Sequence, residues 1–359
     1  MLMLKKTIAA LSLLSILAAC QNDENPSQPE PKPRQDINLT RAEQEFMDKG
    51  TDFAFRFFDQ VCSTEKEKPN IFVSPLSASL CLSMITNGAT DNTLAEMQDV
   101  LGFPATTFSL DDLNNYNQKL TSALLDLDNT TQLGIANSIW IKEGFKVYDS
   151  FVDVNKKMYD AQVQELDFTS PTAKDVINQW CANKTNNCIK EVIQEIPADA
   201  RMYLINALYF KGIWKSQFDK SATGQDNFTN ADGSQKEVAM MNQTATFNYT
   251  QTDDFSIAEL PYGNEAFSMV ILLPSGDKTL YESLSGLNYE NWKLWSKNMT
   301  GRELQIKLPR FKVEYDKKLE EDMIAMGMKD AFDTRKAKFA NMSGAELYIG
   351  LLQQFTYIN

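Results

Sequence analysis

The chain has 359 residues, of which 43% are hydrophobic and 23% charged, and its formal net charge is −13. This composition is typical of a soluble protein with an extensive core, and the negative charge argues against nucleic acid as a partner. The sequence contains no histidine, which excludes Ser-His and Cys-His nucleophiles and most zinc sites. A glycine-rich phosphate loop is also absent from the sequence. We therefore expect a protein that is not an enzyme and that binds no cofactor or metal.

Residues 1–19 have the pattern of a cleaved export signal. Two lysines precede an apolar run at residues 8–18, and small residues follow directly before Cys20. The apolar run is too short to remain as a membrane-spanning helix. Residues 17–20, Leu-Ala-Ala-Cys, resemble the lipobox of a bacterial lipoprotein, which implies that the cysteine becomes the lipidated first residue. The alternative is an ordinary signal peptide with an incidental cysteine.

Residues 20–39 are rich in Pro, Gln, Asn, Asp and Glu and contain almost no apolar side chains. Such a segment buries too little surface to offset the entropy lost on ordering, so it predicts a disordered tether. The folded domain would then occupy residues 40–359. The lipoprotein resemblance, with Gln21 after the cysteine, implies the outer membrane of a Gram-negative bacterium. The acidic pair at residues 23–24 resembles the surface-export signal of Bacteroides-type bacteria.

The folded domain shows both helical and strand periodicity. In chain order the patterns predict helices near residues 41–62, 74–88, 93–102, 113–127, 149–159, 173–183 and 318–326, and strands near 70–73, 132–141, 202–210, 245–250, 255–260, 267–273 and 304–308. Ser74 is placed to cap the second helix, whose first turn accommodates Pro75. Thr93 and Glu96 form a capping-box pattern at the start of the third helix, which would end at Gly102.

The strand at residues 202–210 is apolar or aromatic on both alternating faces, as expected of a central strand covered on both sides. Asn206 interrupts this run. Burying its amide without partners would cost about 1–3 kcal/mol, so we expect a buried polar cluster, with Ser74 and Ser77 as candidate partners. The alternative is a structural amide that the backbone satisfies. Trp214 follows where the strand emerges.

Four cysteines remain after Cys20. Cys62 and Cys81 lie in apolar helical patterns that favour buried thiols. Cys181 and Cys188 could form a disulfide across a helix end or remain thiols, and the sequence leaves both alternatives open.

Several long motifs resemble the serpin family and occur in the order in which that family carries them. They lie at residues 70–79, 88–93, 101–103, 206–218, 259–263, 267–274, 308–312, 327–332 and 339–343. The resemblance covers the chain from about residue 40 to its end. It implies an α+β fold with three β-sheets, one of them a large central sheet A, and eight to nine helices.

The resemblance also implies a function, which is inhibition of serine or cysteine proteases by a suicide-substrate mechanism. A protease cleaves an exposed loop and is held as an acyl-enzyme while the loop inserts between the third and fifth strands of sheet A. In that family, the shutter is a group of residues below the centre of sheet A, and the breach is the place where insertion begins. The resemblance implies that the shutter consists here of Ser74, Ser77, Asn206 and Gln354. It implies that the breach consists of Trp214, Tyr262 and Arg310. Many members carry a histidine where this chain has Gln354. For each position, the alternative is ordinary core packing.

The chain departs from the family pattern at its end. Residues 347–359 complete the fifth strand of sheet A, and the hinge, reactive loop and closing strands that the family carries next do not follow. We therefore expect the chain as written to be truncated, poorly folded and inactive as an inhibitor. The alternatives are a non-inhibitory serpin-fold surface binding protein or a decayed gene product. The sequence does not indicate the target protease, because the residue before the scissile bond is not in it.

Overall fold

The structure is a computed structural model that describes residues 30–230 and 232–358. The predicted signal peptide, the predicted lipid anchor Cys20 and the first part of the tether lie outside the described residues. Residues 31–39 have no regular secondary structure. Lys32 contacts the last residue of the fourth helix, Asp126, at 3.0 Å and Asn129 in the turn after it at 2.8 Å. Assignment of residues 20–39 as a disordered tether remains a prediction.

The described residues form nine α-helices and ten β-strands. The helices are α1 Arg41–Thr64, α2 Pro75–Thr86, α3 Asp91–Leu101, α4 Leu110–Asp126, α5 Asp149–Tyr159, α6 Ala173–Lys184, α7 Leu280–Leu284, α8 Tyr289–Lys297 and α9 Glu320–Met326. The strands are β1 Gln132–Lys142, β2 Ala161–Leu166, β3 Met202–Lys211, β4 Gly224–Thr229, β5 Gln235–Gln251, β6 Phe255–Pro261, β7 Ser268–Pro274, β8 Thr300–Pro309, β9 Val313–Lys318 and β10 Gln353–Ile358.

The strands form three sheets. β1 is parallel to β2 and antiparallel to β3, β10 is antiparallel to β9, and β4 to β8 form a five-stranded antiparallel sheet. The α+β fold with three sheets and eight to nine helices that was predicted from the sequence is confirmed. The central sheet is present as two blocks, β2-β1-β3 and β10-β9.

Local sequence explains how α1 begins and why α2 is buried. α1 begins at a capping box, in which Thr40 and Glu43 exchange hydrogen bonds, and Glu43 also accepts a hydrogen bond from Lys119 of α4 at 2.7 Å. That contact with Lys119 is the main reason why the pKa of Glu43 is lowered to about 2. α2 is apolar almost all round, with Leu80 and Leu82 fully buried. It therefore lies in the interior, where it packs against β3.

Two local predictions are wrong. Residues 70–73 form no strand, because no strand of the described chain pairs with them. α3 begins at Asp91 rather than at a capping box. The Thr93 hydroxyl accepts from the Lys338 N–H at 3.0 Å, and Glu96 accepts from the N–H groups of residues 329–330 at 2.7 Å. Both capping side chains are thus used for tertiary contacts.

Two predicted element boundaries also differ from those in the structure. The predicted strand at residues 245–250 is the second half of β5, which is long because it pairs with β4, β6 and β8 in turn. The predicted helix at residues 318–326 begins at Glu320, because β9 continues to Lys318. None of the described helices is long and apolar enough to cross a bilayer.

A buried ionic cluster attaches β9 to α1 and α9. Lys317 lies 2.9 Å from Glu65 and 3.2 Å from Asp322, and the Lys317 and Asp322 side chains are only 10% and 1% exposed. Thr64 donates a further hydrogen bond to Asp322 at 2.9 Å. Burial alone would lower the pKa of Lys317, but the two carboxylates outweigh it and raise that pKa. The ammonium group therefore stays charged and compensates the buried Asp322.

We expect Lys317→Met to destabilise the protein by about 3–5 kcal/mol, because it leaves a buried carboxylate without a partner. Urea unfolding followed by circular dichroism measures this loss. Lys318→Met, an exposed neighbour on the same strand, should change the stability by no more than about 0.5 kcal/mol. Equal unfolding midpoints for the two variants would show that the cluster does not stabilise the fold.

Candidate functional site

A cleft of about 1220 Å³ separates β3 from β10. β3 pairs with β1 on one edge, and β10 pairs with β9 on one edge. Within the described chain, no strand pairs with the other edge of either one. Two rows of backbone N–H and C=O groups therefore line the cleft without ladder partners, which is the arrangement that accepts an additional strand.

β3 and β10 run toward the same end of this cleft. Ile358, at the end of β10, pairs with Val313, and Val313 follows closely after Arg310. Trp214, three residues beyond β3, packs in the same cluster as Leu308, which lies just before Arg310. A strand entering the cleft would therefore meet two edges of the same direction and would be antiparallel to both or parallel to both.

The seven residues assigned to the shutter and the breach from the sequence all line this cleft. They are Ser74, Ser77, Asn206, Gln354, Trp214, Tyr262 and Arg310. Ser74 and Ser77 lie at the start of α2 with Gln354 in contact, Asn206 lies on β3, and the last three lie at the end toward which β3 and β10 run. The structure thus brings the residues together, while their gating role remains a prediction.

Gln354 fastens β10 to the start of α2. Its Oε1 accepts from the Ser74 N–H and its Nε2 donates to the Ser74 carbonyl, both at 2.8 Å. The Ser74 hydroxyl in turn accepts from the Ser77 N–H at 3.3 Å and caps α2, as predicted. Thr356, two residues along β10, donates to the Phe72 carbonyl at 2.5 Å. We call the pair of hydrogen bonds between Gln354 and Ser74 the amide clip.

The expected contact between Asn206 and Ser74 or Ser77 is wrong. Asn206 Nδ2 instead donates to Asn137 Oδ1 at 2.7 Å. The reason is register, since Asn137 is the residue directly opposite Asn206 on β1, whereas the start of α2 is held by Gln354 on the other side of the cleft. Asn206 Oδ1 is buried and accepts no hydrogen bond from the described residues.

Asn206 belongs to a larger buried polar chain that the sequence reasoning missed. Asn137 Nδ2 donates to the Tyr159 carbonyl at 2.6 Å, and the Tyr159 hydroxyl donates to Asn114 at 2.7 Å. Asn114 and Asn87 exchange two amide hydrogen bonds. Burial raises the pKa of Tyr159 to about 12, so its hydroxyl remains a donor. An asparagine within the apolar run of β1 was the signal that could have indicated this chain.

An aromatic stack closes the other end of the cleft. The rings of Trp214 and Tyr262 lie 4.3 Å apart and are inclined by 16°, and Phe210 meets Tyr262 edge-on at 5.3 Å. A Cβ atom at Gly212 would lie 2.5 Å from the Tyr262 ring, so only glycine lets the ring cover the chain there. Burial raises the pKa of Tyr262 to about 12.

Arg310 provides a positive charge beside this stack. Its backbone N–H donates to the Ala239 carbonyl at 2.9 Å, which extends the β5–β8 ladder, and its side chain is exposed. The described residues offer no ion-pair partner to its guanidinium group. Arg310 is therefore free to pair with a carboxylate that approaches this end of the cleft.

Three cysteines also line the cleft, and all of them are thiols. Cys81 donates a weak hydrogen bond to the Leu204 carbonyl at 3.7 Å, and burial raises the pKa of Cys81 and of Cys181 to about 12. Cys181 and Cys188 are not joined, which answers the question that the sequence left open. No group of three potential ligands among the described residues could hold a metal ion. The Cys81 and Cys181 thiols are therefore protonated side chains in the wall of the cleft.

These features define a class of protein in which the central sheet is open between two of its strands. Comparison with known proteins then identifies the family. A profile described as Serpin (serine protease inhibitor) matches residues 48–359. Serpin B6 of Macaca fascicularis is 34% identical over 300 residues, covering 80% of this chain and 79% of that protein. An uncharacterized serpin-like protein of Methanosarcina acetivorans is 32% identical, covering 86% and 72%.

Solved structures give the same result. The thermophilic serpin tengpin in its latent state has a TM-score of 0.81 and 31% identity, covering 90% of this chain and 86% of that one. Tengpin in its native state has a TM-score of 0.79 and 30% identity, covering 92% and 83%. The chain belongs to the serpin family, and in general terms it is a protease inhibitor and not an enzyme.

We expect Gln354→Leu to destabilise the protein by about 1–3 kcal/mol, because the partly buried N–H of Ser74 would lose the acceptor that it has among the described residues. The loss is measured from the urea midpoint. Gln353→Leu is the matched control, since Gln353 makes only a long contact of 3.4 Å with Asp316. If both variants unfold at the same urea concentration, the amide clip does not hold β10 to α2.

Proposed function

We propose that the protein inhibits serine or cysteine proteases by inserting a cleaved segment of its own chain between β3 and β10. The observation that carries the proposal is the pair of unpaired strand edges of the same direction that face each other across the cleft. Family membership supports inhibition of proteases in general. The mode of inhibition and the type of protease are the finer parts of the proposal.

Hydrogen bonding makes insertion strongly favourable. β3 has ten residues and β10 has six, so a strand paired with both could form about 16 ladder hydrogen bonds. At about 0.5–1.5 kcal/mol each, these would contribute on the order of 8–24 kcal/mol. That is comparable with the whole free energy of unfolding of a typical domain, about 5–15 kcal/mol. Insertion can therefore drive a large rearrangement of a bound protease.

Two contacts would control when the segment enters. The amide clip holds β10 to the start of α2, and the stack of Trp214 on Tyr262 covers the end of β3. Arg310, exposed beside the stack, would pair with an acidic residue of the entering segment. We therefore assign the shutter role to Ser74, Ser77, Asn206 and Gln354, and the breach role to Trp214, Tyr262 and Arg310.

The proposal is tested with two proteins, residues 40–359 alone and the same residues extended by the region that follows the matching part of Serpin B6. Each is incubated with trypsin, an elastase and papain. The extended protein should form a complex with at least one protease that survives denaturing electrophoresis, because the acyl-enzyme is trapped by insertion. Residues 40–359 alone should form none.

Active-site-blocked protease is the control and should give no complex with either protein. Thermal melting establishes that the extended protein is folded before the assay. If the folded, extended protein is digested by every protease without forming a complex, inhibition by insertion is wrong for this chain.

We also propose that Cys20 carries a lipid anchor and that residues 20–39 hold the inhibitor at the outer membrane or cell surface of a Gram-negative bacterium. The support is the Leu-Ala-Ala-Cys pattern at residues 17–20, together with the irregular backbone of residues 31–39. Target proteases would then be met outside the cell, whether they come from a host or from other microbes.

We expect Cys20→Ser in the full chain to remove the protein from the detergent-soluble membrane fraction, because the thiol is the atom that would carry the lipid. Immunoblotting of membrane and soluble fractions measures the distribution. Cys188→Ser, in the folded domain, should partition like the unchanged protein. Equal membrane partition of the Cys20 variant and the unchanged protein would rule out lipidation at this residue.

A further inference from the structure

The turn between α4 and β1 contains a buried carboxylate without a cationic partner. Asp128 is 4% exposed. Its Oδ1 accepts from the N–H and the hydroxyl of Thr130 at 2.8 and 2.7 Å, and its Oδ2 accepts from the Thr131 hydroxyl at 2.8 Å. Oδ2 also faces the Asn264 N–H at 3.4 Å. No Lys or Arg of the described residues forms an ion pair with Asp128. Burial opposes ionisation, but these four donors outweigh it and lower the pKa of Asp128.

This carboxylate interlocks with the turn that follows Tyr262. The Asn264 side chain returns a hydrogen bond to the Leu127 carbonyl at 2.8 Å, so the two turns are joined in both directions. Gly263 has a φ of +38°, and a Cβ atom there would collide with the Asp128 carboxylate and the Thr130 hydroxyl. Only glycine permits this approach. The contact between the turns is therefore close and specific.

The same turn is attached on its other side to the chain that leaves β3. The Gly263 N–H donates to the Ile213 carbonyl at 2.8 Å, and the Lys215 N–H donates to the Pro261 carbonyl at 3.0 Å. Lys215 also forms an ion pair with Glu265. The Tyr262 ring is consequently held between two anchored segments. Asp128 lies at one side of this turn, and the stack of Tyr262 on Trp214 lies at the other.

We propose that Asp128 is a positioning residue for strand insertion, acting by holding the turn that places Tyr262 on Trp214 at the end of the cleft. The inference rests on the proposed function, because it concerns the step at which a strand enters. The stack covers Gly212 at the end of β3. Loosening the turn would uncover the last ladder groups of β3 and let a strand enter sooner. Asp128 thus delays insertion until a segment competes successfully for this edge.

The first experiment measures the stack directly. The chain has five tryptophans, so the difference between each protein and its Trp214→Phe counterpart isolates the emission of Trp214. Asp128→Asn retains the shape of the side chain but presents an amide nitrogen to groups that are themselves donors. We expect the Trp214 emission of this variant to shift to the red and to be quenched more strongly by acrylamide.

Two variants within two residues of Asp128 are controls. Asp126→Asn changes a carboxylate that is 83% exposed, and Thr130→Ser keeps the hydroxyl that Asp128 accepts from. Both should retain the emission of the unchanged protein. If Asp128→Asn also retains it, Asp128 does not position the stack and the proposal is overturned.

The second experiment measures insertion with a fluorescein-labelled synthetic peptide of alternating Thr and Ala that matches the ten residues of β3. Uptake is followed by fluorescence anisotropy. We expect Asp128→Asn to take up the peptide about fivefold faster, which corresponds to about 1 kcal/mol of barrier. The final amount bound should be unchanged, because Asp128 does not line the cleft. Phe57→Leu, in the core on α1, is the control for lost stability and should not accelerate uptake.

The outcomes separate this proposal from the proposed function. If the unchanged protein binds the peptide and Asp128→Asn binds it at the same rate, the role of Asp128 is refuted while insertion stands. If neither protein binds the peptide, insertion itself fails, and the role of Asp128 in insertion fails with it. Should Asp128→Asn not fold, Asn264→Ala removes the reciprocal hydrogen bond to Leu127 and should give the same red shift and acceleration. Unchanged emission and rate in that variant would overturn the proposal.

Discussion

The two open strand edges of β3 and β10 are the constraint on which the rest of this structure depends. Backbone groups that lack a ladder partner favour any strand that reaches them. A protein that keeps such edges apart must hold each block of the sheet by other means. β3 is held through β1 and the buried amides around Asn137, and β10 is held through β9 and the amide clip on α2. The cleft therefore exists because each of its walls is anchored away from the other.

The amide clip contains no group that changes its charge near neutral pH. The amide clip uses Gln354 where many serpins carry a histidine, and the chain contains no histidine at all. An amide does not change its charge between pH 5 and 8, whereas an imidazole does. The hydrogen bonds that connect β10 to α2 are consequently insensitive to pH in this range. Arg310 is one of several charged residues that line the cleft, and it is exposed at the end where the aromatic stack lies.

The two ends of the cleft are restrained in different ways. Near α2, restraint comes from hydrogen bonds between buried or partly buried polar groups, and among these Asn206 Oδ1 is without a donor. Near Trp214, restraint comes from ring stacking, which needs Gly212 and Gly263 because larger residues would collide with Tyr262 or Asp128. Two buried carboxylates are stabilised against the cost of desolvation in different ways. Asp322 has Lys317 as a counter-ion, whereas Asp128 is stabilised only by hydroxyl and backbone dipoles.

The amino-acid sequence by itself determined the family, the order and type of most elements, and the set of residues that meet at the cleft. Apolar periodicity places β3 and α2 in the interior. The motif at residues 206–218 indicates the family from consecutive residues alone, without any information on tertiary contacts. Partners across the fold were decided by tertiary structure alone. Asn206 pairs with Asn137 because strand register sets them opposite each other, and Thr93 and Glu96 bond to residues more than 200 positions away instead of capping α3. Asp128 gave no local signal, since its role depends on a turn 136 residues further along the chain. Local patterns specify which face of an element is buried, but only the packed chain specifies which polar group a buried side chain meets.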